Sequence, residues 1–88
     1  MSNNAQSTRP ATQEELEQWV VTTCRELGLT VEKADDDFFE AGGNSLTAIR
    51  LISQADETFG EDVLTPDDLF ARSAVRDIAA SILQNTQE

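Results

Sequence analysis

The 88-residue sequence predicts an all-α fold, a four-helix bundle with a long first loop and a short third helix. Three segments repeat apolar residues at steps of three and four, which places those residues along one face of a helix. Residue patterns that begin helices stand ahead of these segments. The sequence contains no convincing strand, and 88 residues suit one small domain.

The first helix is predicted from Thr12 to Leu27. Thr12 and Glu15 have the spacing of a capping box, in which each side chain bonds the backbone N–H of the other residue. Gly28 fits the left-handed position that follows a helix, and Leu29 is its apolar follower. The apolar stripe of this helix consists of Leu16, Trp19, Val20, Thr23, Cys24 and Leu27.

A long connection from Leu29 to Asn44 follows the first helix. Its largest apolar side chains are Phe38 and Phe39, which we expect to anchor the connection to the core. Loops longer than about a dozen residues are often functional, so this segment is a candidate site.

The second helix is predicted from Ser45 to Phe59, with two apolar faces. The core stripe consists of Ala48, Leu51, Ile52, Ala55 and Phe59. Leu46 and Ile49, with the small Ser53 below them, lie on a neighbouring face. These two side chains either complete the core against the long loop or meet a partner, since exposed apolar patches often mark interaction sites. The pattern leaves both interpretations open.

Thr65 and Pro66, followed by two aspartates, begin a short third helix. We expect Leu69 and Phe70 of this helix to point inward. Ser73 is the candidate cap of the fourth helix. The apolar stripe of that helix consists of Val75, Ile78, Ala79, Ile82 and Leu83.

The ends of the chain are polar and lack periodicity. Residues 1–11 are predicted to be a disordered leader, residues 12–84 the folded domain, and residues 85–88 a frayed end. Because the chain begins with methionine and shows no adjacent domain, we expect a free-standing protein.

The net charge of −11 opposes binding to nucleic acid or to anionic membranes and favours basic partners. No apolar run is long enough to cross a membrane. The single cysteine, Cys24, cannot form an internal disulfide, which fits a reducing cytoplasm. Cys24 lies on the first helix's apolar stripe, and we expect it to fill the core.

The stretch DDDFFEAGGNSLTAIRL, residues 35–51, raises the question of what Ser45 does. A nucleophilic serine is disfavoured, because Thr47 replaces the second glycine of G-x-S-x-G and the absence of histidine excludes a Ser-His-Asp triad. A calcium loop that began at Asp35 would need glycine and glutamate where Glu40 and Leu46 stand. Without histidine or paired cysteines, no zinc site is available.

Attachment of an anionic group remains. The first turn of a helix offers unpaired N–H groups and the positive end of the dipole. Gly42 and Gly43 let the backbone bend and leave room for another molecule to approach the hydroxyl. The alternative is that Ser45 or Asn44 only caps the helix, and these features alone leave both interpretations open.

The segment DDFFEAGGNSL resembles the signature of peptidyl carrier proteins, the thiolation domains of nonribosomal peptide synthetases in the phosphopantetheine-binding acyl carrier superfamily. The match falls on Asp36, Asp37, Phe38, Phe39, Gly42, Gly43, Ser45 and Leu46. The segment LFARSAVRDIA is similar to the family's closing segment, so the resemblance covers about residues 16–83.

The resemblance implies a bundle of the acyl-carrier type and a non-catalytic carrier. A phosphopantetheinyl transferase would attach the 4′-phosphopantetheine arm of coenzyme A to Ser45, beside Gly42, Gly43 and Asn44. The terminal thiol of the arm would hold an aminoacyl, peptidyl or related acyl group as a thioester. The expected partner-recognition residues are Phe39, Leu46, Ile49, Arg50 and Ser53. The expected partners are the transferase, an adenylation enzyme that loads the carrier in trans, and downstream condensation or tailoring enzymes, with the carrier itself a monomer.

Four positions depart from the family pattern. Ala41 replaces a larger aliphatic residue, and Asn44 stands where histidine or aspartate is frequent. Ser73 replaces the usual proline, and Ala74 replaces the threonine that would cap the last helix. Because Ser73 can itself supply that cap, we expect little functional effect.

Two further interpretations stay open. The heavy acidity resembles acyl carriers of polyketide or fatty-acid pathways, although those typically lack the paired glycines and phenylalanines. An unmodified interaction module that uses Leu46 and Ile49 is the alternative from another class.

Overall fold

The computed structural model describes residues 12–86, and the predicted leader, residues 1–11, lies outside them. The helices are α1, Gln13–Glu26; α2, Ser45–Phe59; α3, Pro66–Ala71; and α4, Val75–Thr86. The described part of the chain holds no strand, and an isolated bridge pairs Asp37 with Ala74. The predicted all-α bundle of four helices is confirmed.

Helix α1 begins and ends as its sequence predicts. Thr12 Oγ1 accepts a hydrogen bond from Glu15 N at 3.1 Å, and Glu15 Oε1 accepts one from Thr12 N at 3.1 Å. At the other end Gly28 takes a φ of 95°, and Leu29 N donates to Cys24 O at 3.0 Å. The capping box and the glycine therefore fix the length of α1.

The core lies where α1 packs along α4, with α2 and α3 covering its sides. Its buried apolar residues are Leu16, Val20, Cys24, Leu29, Val31, Phe38, Ala48, Leu51, Ala55, Val63, Leu64, Leu69, Val75, Ile78, Ala79 and Ile82. The predicted core role of Cys24 is confirmed, and burial raises the pKa of its thiol to about 12. Phe38 is also fully buried and anchors the long loop as expected.

Helix α2 has the predicted bounds and ends at Gly60, whose φ is 122°. Of its predicted core stripe, Ala48, Leu51 and Ala55 are fully buried. Phe59 is partly buried and meets Trp19 edge-to-face, with ring centroids 5.0 Å apart. This edge-to-face contact ties the end of α2 to α1.

Helix α3 begins at Pro66 with the predicted cap, but the prediction that Phe70 points inward is wrong. Leu69 is fully buried, whereas Phe70 is 53% exposed. Successive helical residues point about 100° apart, so a short helix that turns Leu69 to the core directs Phe70 away from it. The Phe70 ring stacks instead on Phe39, at a centroid distance of 5.5 Å and an interplanar angle of 13°.

The prediction that Ser73 caps α4 is also wrong. Helix α4 begins at Val75, and carbonyl groups of the long loop satisfy its first N–H groups. Val75 N donates to Asp36 O at 2.9 Å, and Arg76 N donates to Ala34 O at 3.1 Å. The Ser73 hydroxyl donates to Asp37 Oδ1 at 2.6 Å. The long loop, rather than a side chain, therefore caps α4.

The end of α4 extends beyond the predicted end of the folded domain. Asn85 and Thr86 are helical rather than frayed. Asn85 Nδ2 donates to Val63 O at 2.8 Å, a contact that holds the last turn against the segment before α3. Residues 87–88 lie outside the described part of the chain. Across the described residues, no helix combines the length and apolar character needed to cross a bilayer.

Candidate functional site

Ser45 is the first residue of α2, and its neighbour Asn44 is the N-cap. Asn44 Oδ1 accepts hydrogen bonds from Thr47 N at 3.0 Å and from Thr47 Oγ1 at 2.9 Å. Ser45 is exposed, and its hydroxyl bonds no other residue within the range 12–86. Asn44 therefore does the capping, and the Ser45 oxygen stays free to react.

The N-terminus of α2 has no acidic residue in its first turn. The backbone N–H groups of Ser45 and Leu46 precede the first intrahelical bond, because Ala48 N is the donor to Asn44 O at 2.8 Å. The positive end of the α2 dipole is thus not neutralised by a carboxylate of its own first turn. A phosphate group on the Ser45 oxygen fits this environment.

The two glycines before Ser45 serve different purposes. Gly42 takes a φ of 110°, a conformation that favours glycine, and a Cβ added there meets nothing within 4 Å. A Cβ at Gly43 would lie 2.5 Å from Phe38 Cε2 and 2.7 Å from Phe38 O. The expected open space therefore exists at Gly42, but at Gly43 the Phe38 ring fills it. Gly43 is there for close packing.

Asp36 organises the start of the acidic run. Its Oδ2 atom accepts hydrogen bonds from Glu32 N at 2.7 Å and Lys33 N at 3.1 Å. These two N–H groups hold the pKa of Asp36 below its ordinary value, with a smaller contribution from the charge of Lys33. The carboxylate stabilises a turn of the long loop.

Asp37 joins the long loop to the segment before α4. Its Oδ2 atom accepts from Phe39 N at 2.9 Å and Glu40 N at 3.1 Å, and its Oδ1 atom accepts from Ser73 Oγ. The Ser73 hydroxyl, followed by the Glu40 and Phe39 N–H groups, lowers the pKa of Asp37.

Within residues 12–86, no group of three or more histidine, cysteine or acidic residues is placed to hold a metal ion.

Leu46 and Ile49 lie in solvent, 59% and 62% exposed. The structure thus decides between the two sequence interpretations: these side chains do not complete the core. Ser53 and Arg50 are exposed on the same side of α2. Arg50 forms no ion pair with any residue that the structure describes. We call Leu46, Ile49, Arg50 and Ser53 the docking face, because these exposed residues are the ones on α2 for which the sequence predicts partner contacts.

Phe39 lies half-buried between two other rings and outside the docking face. Its ring meets Phe38 edge-to-face at 4.9 Å and stacks on Phe70. Phe70 is therefore a large exposed apolar residue, although its sequence predicts an inward-pointing side chain. The adjacent Leu69 is the feature of the sequence that could have predicted this exposure. Two neighbouring residues of a short helix cannot both face the core, so burial of Leu69 turns Phe70 towards solvent.

Comparison with known proteins identifies the family signature in this region. The family model described as "Phosphopantetheine attachment site" matches residues 19–82. This range includes α2, α3, the long loop and most of α1 and α4. No solved structure matches the chain significantly.

The curated relatives are long proteins. The chain is 38% identical to malformin synthetase mlfA of Aspergillus brasiliensis over 76% of its length. It is 41% identical to enterobactin synthase component F of Shigella flexneri over 64% of its length. It is 40% identical over 66% of its length to CymA of Salinispora arenicola, a probable non-canonical nonribosomal peptide synthetase. The chain spans 1%, 4% and 1% of these three proteins, respectively.

Proposed function

We propose, from the premise that this chain belongs to the phosphopantetheine attachment family, that Ser45 is the residue to which the 4′-phosphopantetheine arm is joined. Covalent attachment of this group defines the family, and the relatives include peptide synthetases. The chain is a carrier domain of the type found in nonribosomal peptide synthesis.

The observation that carries the proposal is that the side chain of Asn44, and not that of Ser45, caps α2. Asn44 Oδ1 supplies the cap of α2, so the Ser45 hydroxyl is not needed to hold the helix. Serine at a helix start usually caps, and here that role is filled. A free, exposed hydroxyl at this position is what a modifying enzyme requires.

The electrostatics at Ser45 suit a phosphodiester. The free N–H groups of Ser45 and Leu46 and the α2 dipole together stabilise an exposed anionic group by about 0.3–1 kcal/mol. This contribution is small. It would be smaller still if a carboxylate in the first turn of α2 neutralised the positive end of the dipole. Open space also lies beside Gly42, three residues before Ser45.

The attachment reaction balances as a phosphoryl-group transfer. Ser45 Oγ attacks the phosphorus of coenzyme A that bears the pantetheine, and a new P–O bond forms. The pyrophosphate bond breaks, adenosine 3′,5′-bisphosphate leaves, and the serine proton passes to a base of the transferase. Among residues 12–86 no side chain accepts a hydrogen bond from the Ser45 hydroxyl, so the base belongs to the transferase.

Once attached, the group supplies a terminal thiol that holds an aminoacyl, peptidyl or related acyl group. Cys24 does not replace this thiol, because it is fully buried and burial raises its pKa to about 12. A thiol-bearing arm works where thiols stay reduced, which supports a cytoplasmic location. The chain's own residues present the arm and perform no chemistry on the cargo.

The partners follow from the docking face. We propose that it meets the phosphopantetheinyl transferase, an adenylation enzyme that loads the carrier, and condensation or tailoring enzymes, while the carrier itself stays monomeric. Exposed Leu46 and Ile49 supply the apolar contacts, and the small Ser53 permits close approach. Arg50 supplies a charge that pairs with no acidic residue in the described range 12–86. Phe39 contributes through its stacking on exposed Phe70.

One experiment tests the attachment residue. The protein is incubated with coenzyme A and a broad-specificity phosphopantetheinyl transferase, and its intact mass is measured. We expect the mass of one phosphopantetheinyl group on the wild type and on the control Ser81→Ala, and no gain on Ser45→Ala. A gain that persists in Ser45→Ala, or no gain on the wild type, contradicts the proposal.

A further inference from the structure

We propose that Ser73 is a positioning residue for the attachment site, because its hydroxyl holds Asp37 and thereby fixes the loop that presents Ser45. This inference rests on the proposed function of Ser45. Ser73 lies in the segment between α3 and α4, and it belongs neither to the docking face nor to residues 42–45, which lead into α2. A series of short contacts nevertheless connects it with Ser45.

The first contact is the shared carboxylate of Asp37. Ser73 Oγ donates to Asp37 Oδ1 at 2.6 Å, while Phe39 N and Glu40 N donate to Asp37 Oδ2 at 2.9 and 3.1 Å. One ionised group therefore joins the segment before α4 to the turn at residues 37–40. Hydrogen bonds to a charged acceptor are among the stronger ones in proteins.

The second contact is between backbones. Phe38 N donates to Ser73 O at 2.8 Å, next to the bridge between Asp37 and Ala74. These backbone bonds do not depend on the Ser73 side chain, so the loop stays docked when the hydroxyl is removed. What the hydroxyl adds is a fixed orientation of the Asp37 carboxylate, and with it the turn that the carboxylate organises.

The third contact leads from this turn to Ser45. Gly43 N donates to Phe38 O at 3.0 Å, and Gly42 N donates to Phe39 O at 3.1 Å. The buried Phe38 ring also occupies the space beside Gly43. Ser45 follows Gly43 by two residues, so the position of the turn at residues 37–40 sets the position of Ser45.

Removing the Ser73 hydroxyl has a specific consequence. Asp37 Oδ1 loses its donor, and the turn then samples orientations other than the one that presents Ser45. When a partner binds one conformation only, its apparent dissociation constant is the intrinsic constant divided by the fraction of molecules in that conformation. We expect the KM of the transferase for the carrier to rise about three- to tenfold in Ser73→Ala, with kcat nearly unchanged.

The test combines amide hydrogen exchange with transferase kinetics. Four proteins are compared well below their melting temperatures: the wild type, Ser73→Ala, Ser73→Thr and the control Ser81→Ala, the same change on a half-buried serine of α4. In Ser73→Ala we expect faster exchange at Phe39 and Glu40 together with the higher KM. Ser73→Thr keeps a hydroxyl and restores both values, and Ser81→Ala matches the wild type.

Two results would contradict the positioning role of Ser73 and leave the proposed function of Ser45 unaffected. Exchange at Phe39 and Glu40 that is unchanged in Ser73→Ala shows that the hydroxyl does not hold the turn. Faster exchange with an unchanged KM shows that the turn does not position Ser45. A wild type that gains no phosphopantetheinyl group instead contradicts the proposed function, and the exchange measurement, which needs no modification, separates that failure from the other two.

Discussion

Ser45 and its neighbours show how single side chains divide the work of a small site. Asn44 caps α2, Gly42 supplies the bend and Gly43 supplies close packing on Phe38. The sequence alone left the cap open between Ser45 and Asn44, because both residue types are good N-caps. It also treated the two glycines alike, since the ring that fills the space beside Gly43 becomes visible only in the folded chain.

Gly43→Ala tests the close packing. Its Cβ would lie 2.5 Å from the Phe38 ring and 2.7 Å from a backbone oxygen, so the loop has to shift. We expect a loss of about 1–3 kcal/mol in the free energy of unfolding, measured by denaturant titration. In a Phe38→Leu background the same change should cost less. An equal cost in both backgrounds contradicts the assigned contact.

The acidic run predicts how stability depends on pH. The pKa values of Asp36 and Asp37 are lowered in the folded state, so the unfolded chain takes up their protons first. Their stabilisation is present above the ordinary aspartate pKa of about 3.9 and is lost as pH falls through the lowered folded values. In Asp37→Asn, the unfolding free energy should fall less steeply below about pH 4. A wild-type slope in Asp37→Asn contradicts the assignment.

At the scale of elements, α2 was predicted best. Its bounds, its buried stripe and its end at Gly60 are local properties that periodicity and residue type encode. The errors concern Phe70 and Ser73, whose positions depend on contacts with the long loop. A six-residue helix has too little periodicity to choose its inward face, and a serine before a helix bonds to whichever partner the fold brings near.

The exposed residues of α2 give the prediction at this scale. Leu46→Ala and Ile49→Ala remove side chains that lie in solvent, so each should change the unfolding free energy by no more than about 0.5 kcal/mol. Both should reduce turnover by partner enzymes. Thr58→Ala, an exposed change near the end of α2 and outside the docking face, is the control for turnover. Leu51→Ala, in the core, should cost about 2–5 kcal/mol.

If Leu46→Ala or Ile49→Ala lost as much stability as Leu51→Ala, the result would show that these side chains pack in the core. Unchanged turnover in both variants would contradict the proposal that the docking face contacts partner enzymes.

The protein is strongly acidic, and the acidic residues are dense in the part of the chain that contains Ser45. Residues 34–71 contain ten acidic residues and one basic residue, Arg50, for a net charge of −9. Charge of one sign on this scale attracts basic partner surfaces and speeds their encounter with the carrier. Composition alone establishes this property, whereas the cargo does not follow from it, because a carrier holds its cargo on an arm rather than in a pocket.

Salt dependence measures the steering. Raising the ionic strength from about 0.05 to about 0.5 M shortens the Debye length severalfold, so kcat/KM for loading by a basic partner should fall severalfold. Trp19 fluorescence should stay constant over the same range, which shows that the fold is unchanged. A rate that is independent of salt while the fold is intact contradicts electrostatic steering.

The most direct test of the account locates the modification on the chain. After treatment with coenzyme A and the transferase, cleavage at Lys33 and Arg50 releases residues 34–50, in which Ser45 is the sole serine. Fragmentation mass spectrometry of this peptide should place one phosphopantetheinyl group on Ser45 and leave Thr47 unmodified. A group found on Thr47 or on another peptide, or no group at all, would contradict the claim that Ser45 is the attachment residue.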